Sequence, residues 1–213
     1  MSSVFITGGT GYIGRRLIPL LVARKHSVRA LVRRGSERKL PPGCDVVVGD
    51  PLDRTTFEAA IQPDDTFVQL VGVPHPSPRK AQQFFDIDLV SARASIAAAS
   101  ARRAGHFVYV SVAQPAPVMK AYQTARAVAE GDLAKTGLPA TILRPFYVLG
   151  PGHRWPYALV PFYALLERLP ATRETARRLG LVKLRQMIAA LVWAVENPAA
   201  GRRILDVPAI RGF

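Results

Sequence analysis

A chain of 213 residues is long enough to bury a sizeable core as one domain, and 49% hydrophobic with 21% charged residues excludes a disordered protein. The single cysteine, Cys44, excludes an internal disulfide and fits a reducing compartment, and no apolar run is long enough to span a bilayer: residues 155–166 are broken by Pro156 and Pro161. The net charge of +14 suits an acidic ligand or surface, but the basic residues fall in scattered pairs without interleaved aromatics, so specific nucleic-acid binding is not expected and peripheral contact with a membrane stays open.

The N-terminus, "MSSVFITGG", enters a strand at once, with no basic segment and apolar run before it. No secretory signal is expected, and a cytoplasmic location follows. Short apolar runs then alternate with longer amphipathic ones. Strands are predicted over 3–7, 27–32, 45–49, 66–72, 106–112 and 139–143, dense in Val, Ile and Phe as strands covered on both faces should be. Helices fit between them at about 11–24, 53–61, 81–103 and 120–136, the second opening on a capping box from Thr55 to Glu58. This is the α/β pattern of a doubly wound parallel sheet.

After Gly150 the character changes to a loop, helices and a short strand at 203–207. The expectation is a single domain over 1–213, with a nucleotide-binding core at 1–150 and a small, mostly helical C-terminal part at 151–213 that closes a substrate pocket. Phe146, Tyr147, Trp155 and Tyr157 should wall that pocket, with 160–170 as cover. Leu184, Ile188, Leu191 and Val195 recur at helical spacing, a core stripe.

The strongest local signal is "VFITGGTGYIGRRL". Gly8, Gly11 and Gly14 follow a strand and open a helix, with Thr10, Tyr12 and Ile13 between them. In that setting the glycines allow a tight turn, close backbone approach to a pyrophosphate and close helix–strand packing, and the helix N-terminus offers free N–H groups to the anion: a Rossmann dinucleotide site. An NAD site would place an acid at the end of the second strand to accept the ribose 2′-hydroxyl; here Arg33 and Arg34 stand there, and no acid appears before Glu37. NADP(H) is therefore expected over NAD(H), the competing reading being a solvated basic loop.

The ordered set "TGGTGYIGRRL", "VVVGDPLD", "YVSV", "YQTARAVAE" and "TILRPFYVLGPG" resembles the short-chain dehydrogenase/reductase superfamily, in its atypical, epimerase/dehydratase-like branch. The resemblance covers residues 3 to about 152. It implies that Asp50 and Pro51 lie near the adenine, that Leu70, Val71 and Gly72 run along the cofactor, and that Pro145, Phe146 and Val148 meet the nicotinamide carboxamide. It further implies that Ser111 polarises a substrate oxygen and that Tyr122 moves a proton. Arg126 departs from the family pattern Tyr-x-x-x-Lys. Four residues from Tyr122, it shares a helix face with it, keeps the charge, and is expected to face the cleft, tune the phenol and bind a ribose hydroxyl.

Two functions compete: an NADP(H)-dependent oxidoreductase on a small carbonyl or alcohol, and a non-catalytic NADP(H)-binding redox sensor or assembly protein whose Tyr-x-x-x-Arg site is degenerate. Binding to an anionic surface is a third. His75 and His153 stand alone in Pro-rich loops, so no metal site is expected. His26 and His106 begin strands and read as structural, and Cys44 as inert.

Overall fold

The computed structural model describes residues 1–151, Thr175 and residues 178–213. The predicted pocket residues His153, Trp155 and Tyr157 and the cover at 160–170 lie outside the described residues. In chain order the elements are β1 (Ser3–Thr7), α1 (Gly14–Ala23), β2 (Ser27–Val32), β3 (Asp45–Val48), β4 (Thr66–Gln69), α2 (Ala81–Gln83), α3 (Val90–Ala101), β5 (His106–Val110), α4 (Lys120–Lys135), β6 (Ala140–Leu143), β7 (Tyr147–Leu149), β8 (Leu181–Lys183), α5 (Leu184–Glu196), β9 (Arg202–Leu205) and α6 (Val207–Arg211).

Seven strands form one parallel sheet in the order β3-β2-β1-β4-β5-β6-β9. This is the doubly wound arrangement expected from the alternation of strands and helices. The order reverses between β1 and β4, so the loops leaving their C-terminal ends part there and open a crevice. Period-two alternation sends Val4 and Ile6 to one face, with Leu17, Leu21, Met187 and Leu191 of α1 and α5. It sends Phe5 to the other, with Ile96 and Ala125 of α3 and α4. Register pairs Phe5 with Phe67 and Phe67 with Phe107, and their rings pack across three strands, the first pair tilted and the second stacked, at centroid distances of 5.3 and 5.2 Å.

The two sheet edges differ. On β3, Val46 and Val48 are 49% and 44% exposed. On β9, Arg202 and Arg203 lead the strand.

Several elements depart from the sequence expectation. The helix predicted over 53–61 is instead two single 3₁₀ turns, Arg54–Thr56 and Glu58–Ala60. Asp53, rather than Thr55, caps the first by accepting from Thr55 N at 3.0 Å, and Phe57 leaves helical geometry to bury its ring beside Phe5. The helix predicted over 81–103 runs unbroken from Ala81 to Ala101 but is irregular: Phe84–Leu89 form a π-helical turn between α2 and α3. The strand predicted at 203–207 ends at Leu205, because Asp206 caps α6 by accepting from Ala209 N at 3.0 Å. The parallel pair β7–β8, which the sequence reading did not contain, ties the end of the core to the C-terminal part.

Candidate cofactor and substrate site

The loop after β1 is built by its glycines. Gly8 has φ +74°, and a Cβ on it would meet the Leu70 carbonyl carbon at 2.7 Å, so only glycine lets this turn close against the end of β4. A Cβ on Gly14, the first residue of α1, would lie 2.5 Å from Gly8 O, which makes glycine the condition for seating the helix N-terminus on the loop.

The crevice at the switch point holds about 420 Å³. Gly8, Thr10 and Gly11 line one side and Leu70, Val71 and Gly72 the other. Arg33, Asp50 and Pro51 close the end beyond β2 and β3, and Gln83 and Ile87 add to the wall. Arg34 is exposed and does not line it. Asp50 uses one carboxylate oxygen to accept from Leu52 N at 2.9 Å, which shapes its turn.

A second cavity of about 280 Å³ lies where the same loop continues as Tyr12 and Ile13. Ser111, Tyr122, Pro145, Phe146 and Val148 line it, together with Tyr147 and His75. The structure thus brings Ser111 and Tyr122 to one cavity, although they lie on different elements. Burial pushes the Tyr147 phenol up from its ordinary range, and Tyr122 packs its ring against Phe84 at 4.9 Å.

Arg126 is placed differently from the sequence expectation. It is 4% exposed and lines neither cavity. Nη2 donates to Asp88 Oδ1 at 2.5 Å, and Nη1 to Val110 O at 2.8 Å and Tyr109 Oη at 3.3 Å. The guanidinium sits 5.1 Å from the centroid of the Tyr122 ring, a cation–π contact. The physical reason is Asp88, which the π-helical turn buries completely opposite α4. A carboxylate buried there needs a cation beside it, and Arg126 supplies one. Burial disfavours the charged form of Arg126, but Tyr109, Tyr122 and Asp88 outweigh it and hold the proton on above the ordinary range. The pair also supports the cofactor crevice from behind: Asp88 Oδ2 accepts from Val73 N at 2.9 Å, and a Cβ on Gly72 would meet Arg126 Nη2 at 2.5 Å.

Two further acids escaped the sequence reading. Asp88 is one; the other is Glu130, 4% exposed, eight residues beyond Tyr122. Glu130 accepts from Ser111 Oγ at 2.5 Å, Gln114 Nε2 at 3.0 Å and Arg144 Nε at 3.1 Å, and pairs with Arg144 Nη2 as well. The available signal was a glutamate on the buried face of α4, two turns on from Tyr122. Among the described residues, no cluster of three or more His, Cys, Asp or Glu could hold a metal, and no helix is long and apolar enough to cross a membrane.

The model of a family described as "NAD(P)H-binding" matches residues 8–159. A ceramide reductase of Caulobacter vibrioides is 26% identical over 200 residues, covering 93% of this chain and 62% of that protein. A sterol demethylase protein B of Methylococcus capsulatus is 28% identical, covering 70% and 52%. A 3-diazoavenalumate denitrifying reductase of a Streptomyces species is 30% identical, covering 93% and 73%. The chain thus spans only about half to two-thirds of the length of the first two relatives. Among solved structures, the Bordetella bronchiseptica enzyme WbmH in complex with NAD+ superposes with TM-score 0.71 at 22% identity, covering 97% of this chain and 75% of that one. The glycine-built crevice, the strand order and the matched family model agree: the chain belongs to the NAD(P)H-binding family, as an atypical member of the short-chain dehydrogenase/reductase superfamily.

Proposed function

We propose that the protein is an NADP(H)-dependent oxidoreductase acting on a small carbonyl or alcohol. The observation that carries this reading is the convergence of Ser111 and Tyr122 on one small cavity beside the glycine loop. The residues fit a dinucleotide: Gly8 leaves a cradle that a Cβ would fill, and the N-terminus of α1 opens at Gly14 beside it. Gly8, Thr10 and Gly11 would hold the pyrophosphate, Asp50 and Pro51 would flank the adenine, and Pro145, Phe146 and Val148 would meet the nicotinamide end. Arg33, exposed at the crevice end, suits a 2′-phosphate.

The cofactor supplies hydride when bound. The chain contributes a phenol, Tyr122, that exchanges a proton with the substrate oxygen, and Ser111 as a second contact to that oxygen. Arg126 acts from behind the crevice wall, as a positioning residue. That two of the relatives are reductases supports the reaction class.

The alternative, a non-catalytic NADP(H)-binding sensor, draws on one observation: the Arg126 charge is committed to Asp88. Turnover separates the two. Screening small aldehydes, ketones and quinones with NADPH should reveal activity that Tyr122→Phe removes while NADPH affinity stays nearly unchanged. NADPH should bind at least about tenfold tighter than NADH, a margin of about 1.4 kcal/mol that Arg33→Ala erases. NADPH binding without turnover would give the sensor reading precedence; full activity in Tyr122→Phe would leave an oxidoreductase and remove Tyr122 as its proton donor.

A further inference from the structure

Ser111 is 2% exposed and follows the end of β5, yet it lines the 280 Å³ cavity. Its hydroxyl oxygen is 2.5 Å from Glu130 Oε1. The other groups around that carboxylate, Gln114 Nε2 and the two Arg144 nitrogens, are all donors. Glu130 is therefore an acceptor on every side. A serine has a single proton to give. A hydrogen bond to a carboxylate is about twice as strong as one to a neutral oxygen, so that proton stays on the Glu130 side. What remains for the cavity is a lone pair.

We propose that Ser111 meets the bound molecule as a hydrogen-bond acceptor, locked in that sense by Glu130, so that the site selects the hydroxyl member of a carbonyl/alcohol pair. The inference rests on the oxidoreductase reading of the same cavity and adds its polarity. Tyr122 provides the complement, because its phenol can donate. An alcohol oxygen accepts from Tyr122 and passes its own proton into a bond to Ser111. A ketone oxygen takes the first contact and faces a lone pair at the second. Glu130 is a positioning residue here, acting through Ser111, and Arg144 and Gln114 fix its orientation.

The test uses the full chain without cofactor, so that nothing turns over, and ligand-observed NMR titration with cyclohexanol against cyclohexanone and indanol against indanone. Each alcohol should bind about three- to tenfold tighter than its ketone, the span expected of one neutral hydrogen bond. Ser111→Ala should bring the ratio to one. Glu130→Gln, which keeps an acceptor oxygen, should retain it. Glu130→Leu frees the serine proton for the cavity and should reverse it, a response that a purely structural role for Glu130 would not produce. If Glu130→Leu does not fold, Ser111→Ala and Glu130→Gln decide the matter. Equal binding, or ketone preference, in the parent protein overturns the inference and leaves the oxidoreductase reading standing if the NADPH screen shows turnover. Failure of every alcohol and ketone to bind overturns the inference, and the oxidoreductase reading with it if the NADPH screen also shows no turnover.

Discussion

Removing the Arg126 guanidinium strands a carboxylate, because the Asp88 side chain has no exposed surface. Breaking a buried pair from one side costs about 3–5 kcal/mol, whereas replacing both partners with apolar groups is often near neutral. Arg126→Ala should thus lower stability by about that amount in urea unfolding, and Asp88→Leu combined with Arg126→Leu should recover most of it. The sequence made part of this legible. The four-residue spacing put Tyr122 and Arg126 on one face, and they do meet, ring to guanidinium. What the cation points at was not legible, since its partner stands 38 residues away on a π-helical turn. The same holds for Ser111: its place at the end of a strand was readable, its bond to a glutamate on α4 was not.

Elements with a strong period were the readable ones. Strands β1 and β2 fall where the Val- and Ile-rich runs predict. In α5, Leu184, Ile188, Leu191 and Val195 are all buried, with Met187 and Val192 beside them. Elements set by a single side chain were misread. Over 53–61 local propensity favoured a helix, and burial of Phe57 against Phe5 overrode it. The short pair β7–β8 carries too few residues for a period to show. The α5 stripe leads to a prediction at this scale. Cutting the chain after Gly180 removes α5 and also β9, which pairs with β6. Each large apolar side chain lost from the core forfeits about 1.5–3 kcal/mol, and six such residues together are comparable to the whole stability of about 5–15 kcal/mol typical of a domain. The truncated protein should show no cooperative thermal transition. A soluble, cooperatively melting fragment with unchanged NADPH affinity would show that α5 is dispensable.

Acid should weaken the whole molecule through one histidine. His106 bonds Thr141 across β5 and β6 at 3.0 Å and is 1% exposed. Burial, helped by the charge of Arg203, lowers its pKa to about 4, against 6.5 for a free imidazole. Between those values the unfolded chain binds the proton and the folded chain does not, so this contribution is intact above pH 6.5 and is lost as the pH falls toward 4. The slope should reach at most about 1.4 kcal/mol per pH unit. Urea midpoints measured across that window should fall in the parent protein and flatten in His106→Gln. A parent protein equally stable at both ends would show that the imidazole charges in place. The two sheet edges have a separate consequence for assembly. Two arginines lead β9 ahead of one exposed isoleucine, Ile204, and disfavour a second strand, whereas β3 bares two valines behind a single exposed charge, Asp45. Copies that meet edge to edge are therefore expected to favour β3 against β3 about a two-fold axis, and such a pair is closed. With one end of every sheet guarded, the stacking of copies that builds a fibre should stop at two.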